Sequence, residues 1–193
     1  ERALEQIREC VDLAPLHNPH NLRGIMACRQ VLPAAPQVAV FDTAFHQTMP
    51  QHSYMYALPA VLYSRHRIRR YGFHGTSHLY VHDRAVARSR HAGRTDLKVI
   101  TAHLGNGCSI AAIDSGRSVD TRMGMTPLEG LVMGTRCGDL DPQVLLHVME
   151  LEELTSAQAS TMMNKHSGLQ GISGISSDMR DLMKSASEGD KRA

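Results

Sequence analysis

The run Gly134-Thr135-Arg136-Cys137-Gly138-Asp139-Leu140-Asp141-Pro142 constrains the fold of this chain more than any other stretch. Asp141 followed by Pro142 reads as a helix N-cap and first helical residue, which sets a helix toward Leu151. The glycine-bounded segment before it must therefore be a short loop, and that loop carries one arginine among carboxylates. A lone cation so placed suits the clamping of an anion. Two further blocks share this character: Val40-Phe41-Asp42-Thr43-Ala44-Phe45-His46 upstream, and Ala102-His103-Leu104-Gly105-Asn106-Gly107 between them.

Apolar runs locate the strands. Val38-Ala39-Val40-Phe41 reads as a short buried strand that delivers Asp42 at its carboxyl end, where open α/β sheets bind their ligands. On spacing alone, a turn or cap aspartate fits Asp42 equally well. Lys98 to Leu104 reads as a second strand and Cys108 to Ile113 as its antiparallel partner, joined by Gly105-Asn106-Gly107. Such a turn lets backbone N–H groups approach a phosphate, but by itself it is commoner as plain structure.

The helices follow from periodicity and capping signals. Residues 1–10 read as the end of a helix, with Leu4 and Ile7 on one face. Asn21 is expected to cap a short helix reaching Cys28 or Val31. Thr76 and Ser77 are cap candidates for a helix to about Arg88. Thr155-Ser156-Ala157-Gln158 has capping-box spacing and starts a helix expected to end near Gly168, and Ser177 is expected to cap the last one. Residues 47–60, with Pro50 and Pro59, read as a crossover or covering loop.

Several function classes recede. At 193 residues a chain can bury roughly 70% of its unfolded surface. With no Trp and only 3 Phe, core filling falls to aliphatic residues and 11 Met. A net charge of +2 implies no polyanion partner, and the basic run Arg65-His66-Arg67-Ile68-Arg69-Arg70 lacks the fold signature or stacking aromatics of a nucleic-acid binder. A solvated face, or attraction for phosphorylated small molecules, is expected instead. The 4 cysteines form no C-x-x-C pair, which fits reduced thiols rather than zinc or disulfides. No run approaches the roughly 20 apolar residues of a membrane span. His74, His78 and His82 stand four apart, a spacing that invites a metal reading on a helix face. No carboxylate or cysteine completes that ligand set, so polar surface histidines are expected. There is neither a G-x-x-x-x-G-K-[ST] loop nor a kinase glycine-rich loop, so phosphoryl transfer here requires another scaffold.

The blocks together resemble the acetate kinase family. The likeness runs through Leu13 to Pro19, Phe41 to Pro50, Tyr71 to His78, His103 to Gly107, Met123 to Pro142 and Gly171 to Leu182. It implies an α/β chain with part of the actin-like/Hsp70-like ATPase (ribonuclease H-like) fold of the two-domain sugar/acetate kinase superfamily. Residues 1–46 would form the C-terminal part of the first kinase domain and 47–193 the N-terminal part of the second. The chain would then be an internal piece of a longer kinase, since the family's Asn-x-Gly-Ser-Ser-Ser segment, adenosine-binding glycine-rich segment and magnesium-associated glutamate have no match in it.

The resemblance also implies roles. Asp42, His74 and Arg136 match catalytic positions, Asp42 as the active-site aspartate and the other two as transition-state stabilisers. His103, Leu104, Gly105, Asn106 and Gly107 match the ATP phosphate-binding hairpin. Leu16, Phe73 and Pro127 match the pocket for the acetate methyl group, and His17 matches a histidine near the acyl phosphate. The implied activity is reversible phosphoryl transfer from ATP to acetate, giving acetyl phosphate and ADP, with ATP/ADP and Mg²⁺ as cofactors. A propionate or butyrate kinase of the same family, or a catalytically incomplete piece, are the alternatives. Homodimerisation is likewise implied; the reduced thiols expected above fit a cytoplasmic location, and no nucleic-acid or membrane partner is expected.

Overall fold

A computed structural model describes residues 2–11 and 18–193. Their contacts divide the chain into two compact units, residues 1–40 and residues 41–193.

The first unit holds α1, Arg2–Glu9, and α2, Asn18–Val31. Leu4 is the buried residue of α1, and the Asn18 side-chain amide donates to the Cys10 carbonyl at 2.9 Å. The second helix thus begins at Asn18, not after a cap at Asn21. Pro19 permits this because the first-turn N–H it lacks has no intrahelical acceptor. The expected strand at Val38–Phe41 does not form: Val38 and Val40 are 84% and 77% exposed. A strand exists only beside a partner whose N–H and C=O groups it can meet. Among the described residues, the one sheet uses other segments.

The second unit opens with a 3₁₀ turn at Ala44–Thr48, then α3, Gln51–Tyr54, and α4, Ala60–His66, which fill the stretch expected to be loop. Next come α5, Gly75–Arg88, and strands β1, Lys98–Leu104, β2, Cys108–Asp114, and β3, Arg117–Thr121. The remaining helices are α6, Pro142–Leu151, α7, Ser156–Lys165, α8, Gly168–Ser173, and α9, Met179–Ser187. The sheet is antiparallel in the order β1-β2-β3, with Leu104 opposite Cys108 and Thr101 opposite Ala111. That register closes the expected Gly105-Asn106-Gly107 hairpin. β3 carries one large apolar residue and no alternation to reveal it; the turn before it does, through positive φ at Ser115 (53°) and Gly116 (77°).

Strand alternation puts Thr101, Ser109, Ala111 and Ile113 on the covered face, beneath α5 and the 3₁₀ turn. The opposite face leaves Ile100 76% and Leu104 72% exposed. Met123, Met133 and Leu182 supply buried apolar volume elsewhere in the unit, while His46, His78, Ser109 and Ser118 make the interior under α5 unusually polar. Caps hold where the sequence supplied them: the Asp141 carboxylate accepts from the Gln143 N–H, and Thr155 with Gln158 forms a complete capping box. The helix begun at Thr155 stops at Lys165 and a separate α8 follows. The last helix is capped by Asp178, one residue beyond Ser177.

Candidate active site

Two chain segments meet at the start of α5. One Asp42 carboxylate oxygen accepts the His74 N–H at 2.7 Å, while the Asp42 carbonyl accepts the Gly75 N–H at 2.8 Å. A Cβ at Gly75 would drive into that carbonyl oxygen, so glycine permits the approach. His74 itself is the N-cap residue, left-handed at φ 57°, which turns its ring out of the helix. Thr76 and Ser77 therefore lie inside the first turn instead of capping it, and the Ser77 hydroxyl meets His103 Nδ1 at 2.9 Å.

The histidines come together from α5 and β1. His74 and His103 stack with ring centroids 4.0 Å apart. His74 Nδ1 lies 2.9 Å from the Ser109 hydroxyl, the same hydroxyl lies 2.8 Å from His78 Nε2, and His78 Nδ1 lies 2.8 Å from the Thr101 hydroxyl. Beside them, His46 donates from Nε2 to the Phe73 carbonyl at 3.0 Å, which leaves its Nδ1 to accept from Ser118 at 2.8 Å. Burial lowers the pKa of His46, against the Phe73 carbonyl bond and the charge of Asp42. Burial, reinforced by His46, His74 and His103, lowers that of His78 to about 4. His74 is lowered by burial first, then by His103, with Arg136 and His46 adding to it and Asp42 opposing. The expectation of surface histidines thus fails for two of the three: His78 and His82 are buried. The spacing that suggested a metal face instead aims them into the interior. Among the described residues no group of three His, Cys, Asp or Glu could hold a metal ion.

Arg136 is fixed by backbone bonds on three sides. The Asn106 carbonyl of the hairpin accepts the Gly134 N–H at 3.1 Å. The start of α8 donates Leu169 N–H to Met133 and Gln170 N–H to Gly134, each at 2.9 Å, and Ser167 N–H to Thr135 at 3.0 Å. The end of α7 receives the Thr135 hydroxyl at Asn164 and the Cys137 N–H at Met163, both at 3.0 Å. From this mount Arg136 Nη1 donates to the Pro127 carbonyl at 2.9 Å. Among the described residues, no carboxylate lies within ion-pair distance of this half-buried guanidinium. The neighbouring basic run behaves differently. Arg70 is spent on Glu129 and Asp120, and Arg69 lies over the Tyr54 ring.

Gly107 is where the parts converge. A Cβ there would sit 3.3 Å from His74 Cε1 and Nε2 and 3.5 Å from Arg136 Nη1. The structure thus brings together Asp42, His74, His103, Asn106, Gly107, Pro127 and Arg136, with Gly105 closing the hairpin through its bond to the Gly107 carbonyl. Phe73 is half-buried and engages His46 through its backbone, while Leu104 ends β1 on the exposed face. Leu16 and His17 lie outside the described residues. Sequence reasoning passed over Ser109 and Thr101 and took Ser77 only for a cap; the available signal for the first two was their alternation on β1 and β2 behind a hairpin already singled out.

This arrangement sets a cation without a carboxylate partner among the described residues beside a histidine and a glycine turn, a geometry that can hold an anionic group. The whole chain, residues 1–193, matches the acetokinase family. It is 61% identical over 187 residues to an acetate kinase of Alkaliphilus metalliredigens, covering 97% of this chain and 47% of that protein. Its structure is similar to a crystal structure of Porphyromonas gingivalis acetate kinase, with a TM-score of 0.92, 51% identity, and coverage of 99% of this chain and 48% of that one. A propionate kinase from Francisella tularensis gives a TM-score of 0.93 at 49% identity, with 99% of this chain and 49% of that one covered. The chain belongs to the acetokinase family, and its fold is part of the actin-like kinase fold. It spans about half the length of the curated relatives it matches.

Proposed function

We propose that the protein carrying this chain is an acetate kinase, transferring the γ-phosphoryl group of ATP reversibly to acetate. The observation that carries the reading is the half-buried Arg136 guanidinium, without a carboxylate partner among the described residues, beside His74 and Gly107. Phosphoryl transfer to a carboxylate must bring two anions into line around a metaphosphate-like centre, and positioned positive charge is what the reaction lacks in water. Arg136 supplies that charge with forked donors for equatorial oxygens. His74 adds a hydrogen bond, and residues His103 to Gly107 receive the ATP phosphates. Acetate is already ionised near neutral pH, so no base is needed to activate it.

Among the described residues, the second carboxylate oxygen of Asp42 has no hydrogen-bond or ion-pair partner, and the residue is exposed. A single carboxylate fits Mg²⁺, which retains several waters and takes one or two carboxylates together with phosphate oxygens. Bound with the nucleotide, Mg²⁺ supplies neutralisation of phosphate charge; Asp42 would hold it or its waters. Pro127 and Phe73 would line the acyl group; Leu16 and His17, which the resemblance assigns to the same pocket, lie outside the described residues. The likeness to a propionate kinase is as strong in fold as that to an acetate kinase, so the longer acids are the specific alternative.

We place the domain seam at residues 46–47, a position supported by the nearby division of compact units at Val40 and Phe41. No described helix is long and apolar enough to cross a membrane, and the four cysteines are free thiols. The family resemblance implies a homodimer, and the free thiols are in keeping with a cytoplasmic location. The test is hydroxamate-trapped acyl phosphate formation by the whole protein from ATP, Mg²⁺ and acetate, propionate or butyrate. Acetate should be the fastest, and Arg136→Ala should lower turnover by on the order of 10³ or more. Turnover unchanged in that variant would sink the assignment of Arg136, and no acyl phosphate from any acid would sink the activity.

A further inference from the structure

The direction of the buried hydroxyl–imidazole chain behind His74 can be read from its far end. A hydroxyl has one proton, so the Ser109 oxygen, 2.9 Å from His74 Nδ1 and 2.8 Å from His78 Nε2, gives that proton to one ring and accepts from the other. With both rings neutral, only two arrangements satisfy it. In the first, Thr101 donates to His78 Nδ1, His78 Nε2 donates to Ser109, and Ser109 donates to His74 Nδ1, which leaves the proton of His74 on Nε2. In the second, every bond is reversed and the Nε2 of His74 is a bare acceptor.

Thr101 breaks the tie. Its side chain is buried and His78 is its hydroxyl's hydrogen-bond partner among the described residues. The first arrangement uses the Thr101 proton; the second strands it in the interior without an acceptor, which is the more costly outcome for a buried donor. Thr101 is only 4% exposed and its neighbours His78 and Ser109 are fully enclosed, so the interior gives water little access to take the place of that acceptor.

We propose that Thr101, His78 and Ser109 form a one-way hydrogen-bond chain that fixes His74 as its Nε2–H tautomer, so that the ring presents a donor on the edge beside Gly107 and Arg136. The three are positioning residues; none of them touches the reacting group. A donor, not a lone pair, is what an anionic phosphoryl oxygen requires at that edge. This consequence for turnover rests on the phosphoryl-transfer reading above, whereas the direction of the chain does not.

The test is the ring ¹⁵N spectrum of ¹⁵N-histidine-labelled protein near pH 7.5, with His74→Gln and His78→Gln used for resonance assignment. His74 and His78 should both show a protonated Nε2 and a bare Nδ1. Thr101→Val keeps the side-chain shape and removes the donor, so the His74 signals should shift toward a mixture of tautomers. Thr101→Ser restores the hydroxyl and should restore the native spectrum. In the acyl phosphate assay, Thr101→Val should lower kcat on the order of tenfold with KM nearly unchanged, against 10²–10³ for losing a transition-state donor outright, and Thr101→Ser should recover it. A native His74 protonated at Nδ1, or a Thr101→Val spectrum identical to the native one, overturns the proposal even if the enzyme is active. The predicted tautomers in a protein that makes no acyl phosphate would leave the chain standing and overturn the functional reading instead.

Discussion

The rings of His74 and His103 stack with centroids 4.0 Å apart and 22° between their planes. Charge on His103 at that separation repels charge on the His74 ring and disfavours its protonation. His74 is held below the ordinary histidine range by burial first and by His103 next. Replacing His103 with Phe keeps a ring in the stack and removes its charge. The His74 midpoint should then rise but stay below its ordinary value, since burial persists. An NMR titration of His74 checks this; a midpoint that stays put or falls would show that stacking, not charge, is the relation between the rings.

Acid should destabilise the second unit through its buried histidines. His78 titrates at about 4 when folded and at an ordinary value near 6.5 when unfolded, so below pH 6.5 the unfolded chain binds the extra proton. Stability from this group is intact above about pH 6.5, is lost as pH falls, and changes no further below about 4. At 1.36 kcal/mol per pH unit the loss is on the order of 3 kcal/mol, and His46 acts in the same direction. Urea midpoints should therefore drop between pH 7.5 and pH 5. His78→Gln should flatten that dependence, and an equally steep dependence in the variant would place the acid sensitivity elsewhere.

What the sequence made legible was local. The Gly105-Asn106-Gly107 hairpin, the Asp141-Pro142 helix start and the Thr155 capping box each depend on a few neighbouring residues, and each stands where its residues put it. The strand expected at Val38–Phe41 failed because a ladder needs a partner from elsewhere in the chain, which no local pattern specifies. The histidines of α5 were misread as surface for a related reason. Their spacing gave a face of the helix, but only the long-range placement of Ser109 and Thr101 against that face shows that it points inward with its polar groups satisfied.

A second clamp holds the segment that leads to Pro127. The Tyr56 hydroxyl donates to Glu129 and accepts the Met125 N–H at 2.8 Å, while Arg70 pairs with the other Glu129 oxygen at 2.6 Å. Burial, and then the Glu129 bond, push the Tyr56 hydroxyl up to about 12, so it remains a donor at any working pH. Tyr56→Phe leaves one N–H and one carboxylate oxygen without this partner. A loss of about 1–3 kcal/mol in urea unfolding is expected. A KM for the acyl acceptor that rises more than kcat falls should accompany it if Pro127 walls the acyl site as proposed, since the change loosens that wall. Unchanged stability would mean that water replaces the phenol without cost.

Gly107→Ala should separate activity from stability. The backbone there does not require glycine, but a Cβ would stand 3.3 Å from the His74 ring and 3.5 Å from Arg136 Nη1, so one of them must yield by a few tenths of an ångström. Misplacing a group by about 1 Å at a reacting centre can cost roughly 10² in rate, so a shift of this size should lower kcat on the order of tenfold. Stability moves little, because Ala restricts the unfolded chain and contributes about 0.4–1 kcal/mol against the local crowding. Gly24→Ala provides the contrast: it lies within α2 with nothing inside 4 Å of the added atom. Helix propensity alone should raise stability there by about 1 kcal/mol and leave kcat untouched. Acyl phosphate kinetics and thermal midpoints on the two variants decide the matter, and full activity in Gly107→Ala would remove the hairpin from the reacting centre.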